Sequence, residues 1–427
     1  MYKNLFLLTT LTGLLLAGCT SYDCCDQSVI SVNPPTIVIP FNGGTHSIDV
    51  TSPIPWIVTG MDPSWMSLDR ETFGGSTTIN VIVPDPNVGL VDLTCTLTFL
   101  AANGDTFKVT VTQKRFIPAP PETIVYDGTD PSVLGPDLWG DADCLFPSLT
   151  ATDGNTVTVT GGVFGMIYGA QTNVPGVAVT NNTVIIDGAS VNIYAVFGGY
   201  SLNGDATDNT VAFKDGTAYF VFGGRSQYGD AINNKVTMSG GTVGIVTGGC
   251  SSLGDAKGNE VSISDGTVSD VIRGGESMSF GGDATNNTVT ILGGSPTLNL
   301  SGATIIGGNG IGDCWTGNTL TIKVASTTGT PLVVYDIENF EFLNFSVPGD
   351  ITTGYTMVTA SSYAVITNSK IGIDFYGAAP TLAVGDVIVL ISAGTLYSGT
   401  FTPQTVTVGA YTFSVYVSGN QLVAEVI

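Results

Sequence analysis

A block of about 25 residues recurs through the middle of this chain, and it limits the possible folds more than any other feature. One copy reads Asn234-Lys235-Val236-Thr237-Met238-Ser239-Gly240-Gly241-Thr242-Val243, then Gly248-Gly249, then Gly254-Asp255-Ala256. The next opens at Asn259-Glu260-Val261 and keeps the order through Asp265-Gly266-Thr267-Val268, Gly274-Gly275 and Gly282-Asp283-Ala284. A unit this short cannot bury an apolar face alone, so repetition at such a period signals stacked coils. The pattern Asn-x-Val or Asn-x-Leu falls at Asn155, Asn182, Asn209, Asn234, Asn259, Asn287 and Asn318, at intervals of 27, 27, 25, 25, 28 and 31 by subtraction. Each unit holds two short strands, such as Val261-Ser262-Ile263 and Val268 to Ile272, interrupted by glycine too often for helices. A parallel β-solenoid follows, in which each strand pairs with its counterpart one coil away at ~4.8 Å. Equivalent Asn side chains then stack into a hydrogen-bonded ladder.

The flanking segments are also β-rich or irregular. The expected fold class is all-β: an N-terminal immunoglobulin-like β-sandwich, then a parallel β-solenoid (β-helix) over 151–345, then a β-rich C-terminal cap over 346–427. Residues 1–18 read as a secretory leader, with Lys3, an apolar run from Leu5 to Leu16 and small residues after it. The junction Leu16-Ala17-Gly18-Cys19 resembles the bacterial lipobox, which implies that Cys19 becomes the lipidated first residue of the mature protein. A multiply acylated cysteine holds a soluble body on a membrane, since each buried methylene contributes roughly 0.8 kcal/mol. Residues 19–28 form a polar tether whose Asp23 and Asp26 resemble the surface-export signal of Bacteroidota lipoproteins. Together these imply a lipid-anchored protein of the outer membrane, displayed at the cell surface.

From 29 to 114 the pattern is strand and turn. Ile37-Val38-Ile39 runs into Asn42-Gly43-Gly44, and alternating runs follow at Thr77 to Val83, Leu93 to Phe99 and Phe107 to Val111. This segment resembles the BACON domain, a carbohydrate-binding, often N-terminal module, through Gly43-Gly44, Trp56 and Trp65, Gly74-Gly75 and the closing Val109-Thr110-Val111-Thr112-Gln113. The resemblance implies glycan binding, with Trp56 and Trp65 as stacking faces, unless both indoles plug the sandwich core. Residues 115–150 begin Pro-rich, at Pro118-Ala119-Pro120-Pro121, as a stiff linker. Trp139, Cys144 and Phe146 then mark an N-cap over the first coil. The Gly-Asp-Ala turns, and the segment from Asn339 to Pro348, resemble passenger repeats of autotransporter adhesins. No barrel pattern follows, so a lipid at the front is expected to replace the barrel at the back.

Charge removes some functions. Acidic residues outnumber basic ones by 35 to 12, for a formal charge of −23. Nucleic acid needs a basic surface, so it is not an expected partner. Seven cysteines follow no metal spacing, and Cys95 falls on the apolar face of its strand with Leu93, Leu97 and Phe99, as a buried thiol. The turn aspartates Asp205, Asp230, Asp255 and Asp283 would form one column, suiting either calcium or backbone N–H groups. Such a column survives without metal when exposed, because two charges ~5 Å apart repel by only about 1 kcal/mol in water.

The position after each Gly-Gly pair differs from coil to coil: Tyr200, Arg225, Cys250, Glu276, Asn309. A structural ladder repeats one residue, so this column is expected to face solvent. Tyr200, Arg225 and Glu276 are then candidates for ligand contact. The sole histidine, His46, lies outside the repeats, and no carboxylate pair interrupts their regularity, so no catalytic set is expected. The function read from these residues is non-catalytic adhesion or binding to glycans or a host surface. A self-associating structural protein and a β-helix lyase or hydrolase are the alternatives.

Overall fold

The computed structural model describes residues 30–89, 91–130, 134, 143–147, 151–278, 281–328 and 332–427. The leader at 1–18, Cys19, the tether at 19–28 and Trp139 lie outside the described residues. Two compact units divide the chain, residues 1–117 and 118–427. No helix occurs among the described residues, so none is long and apolar enough to cross a membrane.

Period-2 alternation organises the first unit. Strand Thr77–Val83 buries Ile79, Val81 and Val83, and Leu93–Ala101 buries Cys95, Leu97, Phe99 and Ala101. One sheet orders Ser31–Asn33, Gly44–Thr51, Thr77–Val83 and Ser67–Leu68. The other orders Thr36–Ile39, Thr106–Gln113, Leu93–Ala101, Trp56–Thr59 and Thr72–Phe73. Side chains of both sheets join one buried cluster. Trp56 lies inside it, 1% exposed, with its ring 5.6 Å from Phe99 and its Nε1–H donating to the Gly75 carbonyl at 2.9 Å. A buried indole of this kind is worth roughly 3–5 kcal/mol against alanine. Trp56 therefore offers no face to a sugar, and Trp65 is half-buried against the same cluster. Cys95 is buried as expected, its thiol donating to the Gly60 carbonyl at 2.9 Å and pushed up in pKa by burial.

The second unit is a parallel solenoid of about eight turns. Aliphatic residues stack in register through it: Val157, Val184, Val211, Val236, Val261, Val289, Leu320, Leu343 and Ile371 each pair with the next coil. Fully burying one such side chain contributes roughly 1.5–3 kcal/mol, so the column is the spine of the core. Parallel pairing begins earlier than the repeat does, at Thr123–Tyr126 against Thr156–Val159. It also continues past 345, to Val387–Tyr397 against Thr356–Val365. The outer coils lack Gly-Asp-Ala turns but keep the buried alternation, as in Phe342–Pro348, and alternation suffices for pairing. Beyond Tyr397 the pairing turns antiparallel. Gln421–Val426 pairs with Val387–Tyr397 and with Tyr411–Ser418, which pairs with Gln404–Val408.

Each coil turns a corner just before its ladder asparagine. The preceding residue is left-handed at Asn181 (φ 56), Asp208 (φ 55), Asn233 (φ 55), Gly258 (φ 70), Asn286 (φ 59) and Gly317 (φ 71). Asn, Asp and Gly tolerate that conformation best, which explains why those types alone fill the position.

Candidate functional site

Three repeated columns are consumed in holding coil to coil. The asparagines at 155, 182, 209, 234, 259, 287 and 318 are all fully buried. From Asn182 on, each Oδ1 accepts both the backbone N–H and the side-chain N–H of the asparagine one coil earlier, as at Asn234 Oδ1 from Asn209 (3.1 and 3.0 Å). A second ladder escaped the sequence reading. Ser226, Ser251 and Ser277 donate to the glycine carbonyls of Gly204, Gly229 and Gly254 one coil back at 2.7–2.8 Å. The serine two residues after the Gly-Gly pair in four successive coils, at Ser201, Ser226, Ser251 and Ser277, was its signal.

The turn aspartates form the third column. Asp205 Oδ1 accepts the N–H of Asp230, Asp230 that of Asp255, and Asp255 that of Asp283, each at 2.8 Å. Their partner is thus the next coil, not their own turn. Lys257 sits among them, 2.6 Å from Asp255 and 3.7 Å from Asp283. Burial opposes ionisation of Asp255, yet the Lys257 ammonium and the Asp283 N–H hold its carboxyl below the usual range. Among the described residues, no group of three or more His, Cys, Asp or Glu side chains converges as a metal ion needs. The four aspartates assigned to calcium are in one column but act as peptide acceptors.

The Gly-Gly pairs bend the coil inward, into a cleft that the flanking side chains fill. A Cβ on Gly199 would lie 2.6 Å from Asn209 Oδ1, and one on Gly275 would lie 2.6 Å from Asn287 Nδ2. The glycines therefore press inward on the asparagine ladder, and their neighbours turn the other way. Val196 and Val221 belong to the solenoid core, whereas Phe197, Phe222 and Tyr200 form a separate cluster. The column before the pairs runs Tyr168, Phe197, Phe222, Thr247, Arg273 and Ile306 in register. The column after them runs Gln171, Tyr200, Arg225, Cys250, Glu276 and Asn309.

These two columns meet across the bend, with Phe197 and Tyr200 rings 5.8 Å apart. The expectation that the second column faces solvent is wrong for most of it: Tyr200 is 5%, Cys250 0% and Glu276 8% exposed. The side chains vary, and each packs both across the bend and against unlike neighbours in its own column. At one end aromatic faces aromatic, with Tyr168, Phe197 and Phe222 stacked at 5.0 and 5.2 Å. Further along charge faces charge. Glu276 accepts from Asn309 Nδ2 at 2.8 Å and pairs with Arg273 Nη1 at 3.5 Å.

Cys250 lies between the two regimes. Burial, with the Glu276 carboxylate beside it, pushes its thiol up to about 12, so it stays protonated and is no nucleophile. Arg225 is half-buried, its guanidinium carbon 5.6 Å from the Phe222 ring and 6.0 Å from the Tyr200 ring. Its Nε is buried without a partner, as is that of Arg273. Arg225 belongs to none of the ion pairs among the described residues.

The sequence reading also missed an aromatic edge beside the cleft. Tyr194 and Tyr219 are 55% and 51% exposed and stack at 5.9 Å and 13°. Phe220 meets Tyr219 edge-on at 4.5 Å and Phe222 at 5.9 Å, so rings run from the edge into the cleft. A shallow groove of about 440 Å³ follows the tyrosines, with Asn192, Thr217 and Thr242 along it. The column continues as Gly244, where a Cβ would lie 3.2 Å from the Tyr219 ring, so glycine leaves that ring room to lean over the next coil. The signal was present, since each tyrosine stands four residues before its Gly-Gly pair.

Comparison with known proteins finds little likeness. No protein-family model matches the chain, and no curated protein matches it. Among solved structures, a Bacteroides ovatus GH5 xyloglucanase in complex with a XXXG heptasaccharide aligns at TM-score 0.20 and 13% identity, over 32% of this chain and 37% of that one. WR4, a C. elegans MSP family member, aligns at TM-score 0.17 and 15% identity, over 21% of this chain and 99% of that one. The chain thus spans just over a third of the xyloglucanase.

Proposed function

We propose that this chain is a lipid-anchored cell-surface protein whose solenoid binds glycans without transforming them. The observation that carries the reading is the exposed Tyr194–Tyr219 stack above a largely apolar groove that also presents Asn192, Thr217 and Thr242. Paired aromatic faces left in water have a cost unless something covers them, and the apolar face of a pyranose suits a rigid, flat platform with hydroxyl and amide partners beside it. The absence of an activated nucleophile at Cys250 and the locked hydrogen bonding of Glu276 fit binding rather than catalysis. The N-terminal unit is read as an immunoglobulin-like, BACON-like β-sandwich. With Trp56 spent on its core, it serves as a spacer between the lipid on Cys19 and the solenoid. The protein then belongs to the outer membrane and faces outward.

A glycan array probed with the purified chain tests the reading. Binding to a defined subset, lost in Tyr219→Ala, is expected, with no reducing or unsaturated ends released. Silence across a broad array from a folded protein sinks it, and concentration-dependent self-assembly in the same sample would favour a structural protein. The anchor is tested separately: Cys19→Ser should leave the membrane fraction.

A further inference from the structure

Arg225 is a half-buried cation that forms no ion pair among the described residues. The chain has 12 Lys and Arg residues against 35 Asp and Glu, so a carboxylate partner is easily supplied. Arg273, by contrast, has Glu276. Arg225 instead lies against two rings, and its Nε, like that of Arg273, is buried and unpartnered. Glu276 shares its column but stands two coils on, roughly 10 Å away at the parallel spacing, and is held by Arg273 and Asn309. Leaving a buried donor unmade is costly, and a guanidinium fork matches a carboxylate or sulfate bidentately.

The rings also connect this arginine to the proposed sugar platform. From Tyr219 the contacts run to Phe220 at 4.5 Å, to Phe222 at 5.9 Å and to the Arg225 guanidinium at 5.6 Å. We infer that the solenoid selects acidic glycans: an oligosaccharide lying on the Tyr194–Tyr219 edge places a carboxylate or sulfate on Arg225 at the mouth of the Gly-Gly cleft. This rests on the glycan-binding reading and gives it a substrate class. The net charge of −23 opposes a long polyanion at a distance. At physiological salt the screening length is about 8 Å, so a short acidic oligosaccharide is recognised by the local cation.

The full chain is titrated with an oligogalacturonate, its methyl ester and a sulfated galacto-oligosaccharide. An acid form binding at least tenfold tighter than the ester is expected. Arg225→Gln should bring the two within twofold, Arg225→Lys should restore part of the preference, and Lys214→Gln, which removes a cation elsewhere, should leave the ratio unchanged. The sulfated sugar distinguishes a general oxyanion seat from one fitted to a carboxylate. Thermal melting checks that each variant is folded, and the wild-type ratio decides the matter even if Arg225→Gln is not. Acid and ester bound equally overturns acid selection, and a preference untouched by Arg225→Gln in a folded variant overturns the seat on Arg225; either leaves glycan binding intact. No binding of any saccharide overturns both.

Discussion

Two sides of the same coil follow opposite rules. In the Asn, Ser and Asp columns, one residue type repeats from coil to coil; Asn and Asp bond their own copy or its backbone, and Ser a glycine carbonyl of the preceding coil. On the Gly-Gly side, the column after the pairs never repeats a residue, yet Tyr200, Cys250 and Glu276 are nearly as buried as the ladders. Identity therefore marks a repeated axial hydrogen bond, while variation marks a column whose contacts run both across the bend and to unlike neighbours one coil away. A repeat protein can thus keep its stability in the constant columns and vary the others without losing register.

Substitutions should separate the two sides, beginning with the ladder. Asn234→Ala deprives two buried N–H groups of Asn209 of their acceptor, so unfolding free energy should fall by about 3 kcal/mol in a urea titration. A loss under 1 kcal/mol would mean that the aliphatic stack alone holds the coils. Tyr219→Ala, on the other side, should weaken glycan binding about tenfold, or ~1.4 kcal/mol, by calorimetric titration. Its effect on stability should stay near 1 kcal/mol, because the ring pair is half exposed.

The acidic column gives a smaller, pH-dependent effect. The carboxyl of Asp255 lies below its ordinary value of 3.8 in the folded state, so its stabilisation is present above that value and lost as pH falls through the folded one. Asp255→Asn should therefore flatten the loss of melting temperature between pH 5 and strong acid; an unchanged slope removes the column from that role. Arg225→Met should leave stability within about 0.5 kcal/mol or raise it, since replacing an unpaired, partly buried charge with an apolar chain of similar length is often neutral or favourable. A marked loss would reassign Arg225 to the scaffold. Adding a chelator should leave the melting temperature where it is, and a downward shift would restore calcium to the aspartate column.

Much of the fold was legible because it depends on local pattern. The intervals between Asn155 and Asn318 set the coil register, and the asparagine ladder follows from stacking equal side chains. The serine column and the Asn, Asp or Gly before each ladder residue carry equally regular signals that were not taken up. Trp56 was readable only as one of two alternatives, since an indole between strands suits a core and a sugar face alike.

The sequence by itself determined the coil, its period, its alternating core and the residues that bond from coil to coil. Each of these follows from spacing along the chain. Only the tertiary structure decided which way the Gly-Gly pairs bend, because that depends on the asparagine amides lying against them from another part of the coil. The inward bend turns Tyr200, Arg225 and Glu276 from an expected surface stripe into one wall of a cleft. It also sets Tyr194 and Tyr219 at the cleft's edge, where spacing alone could not show that they stack in the open.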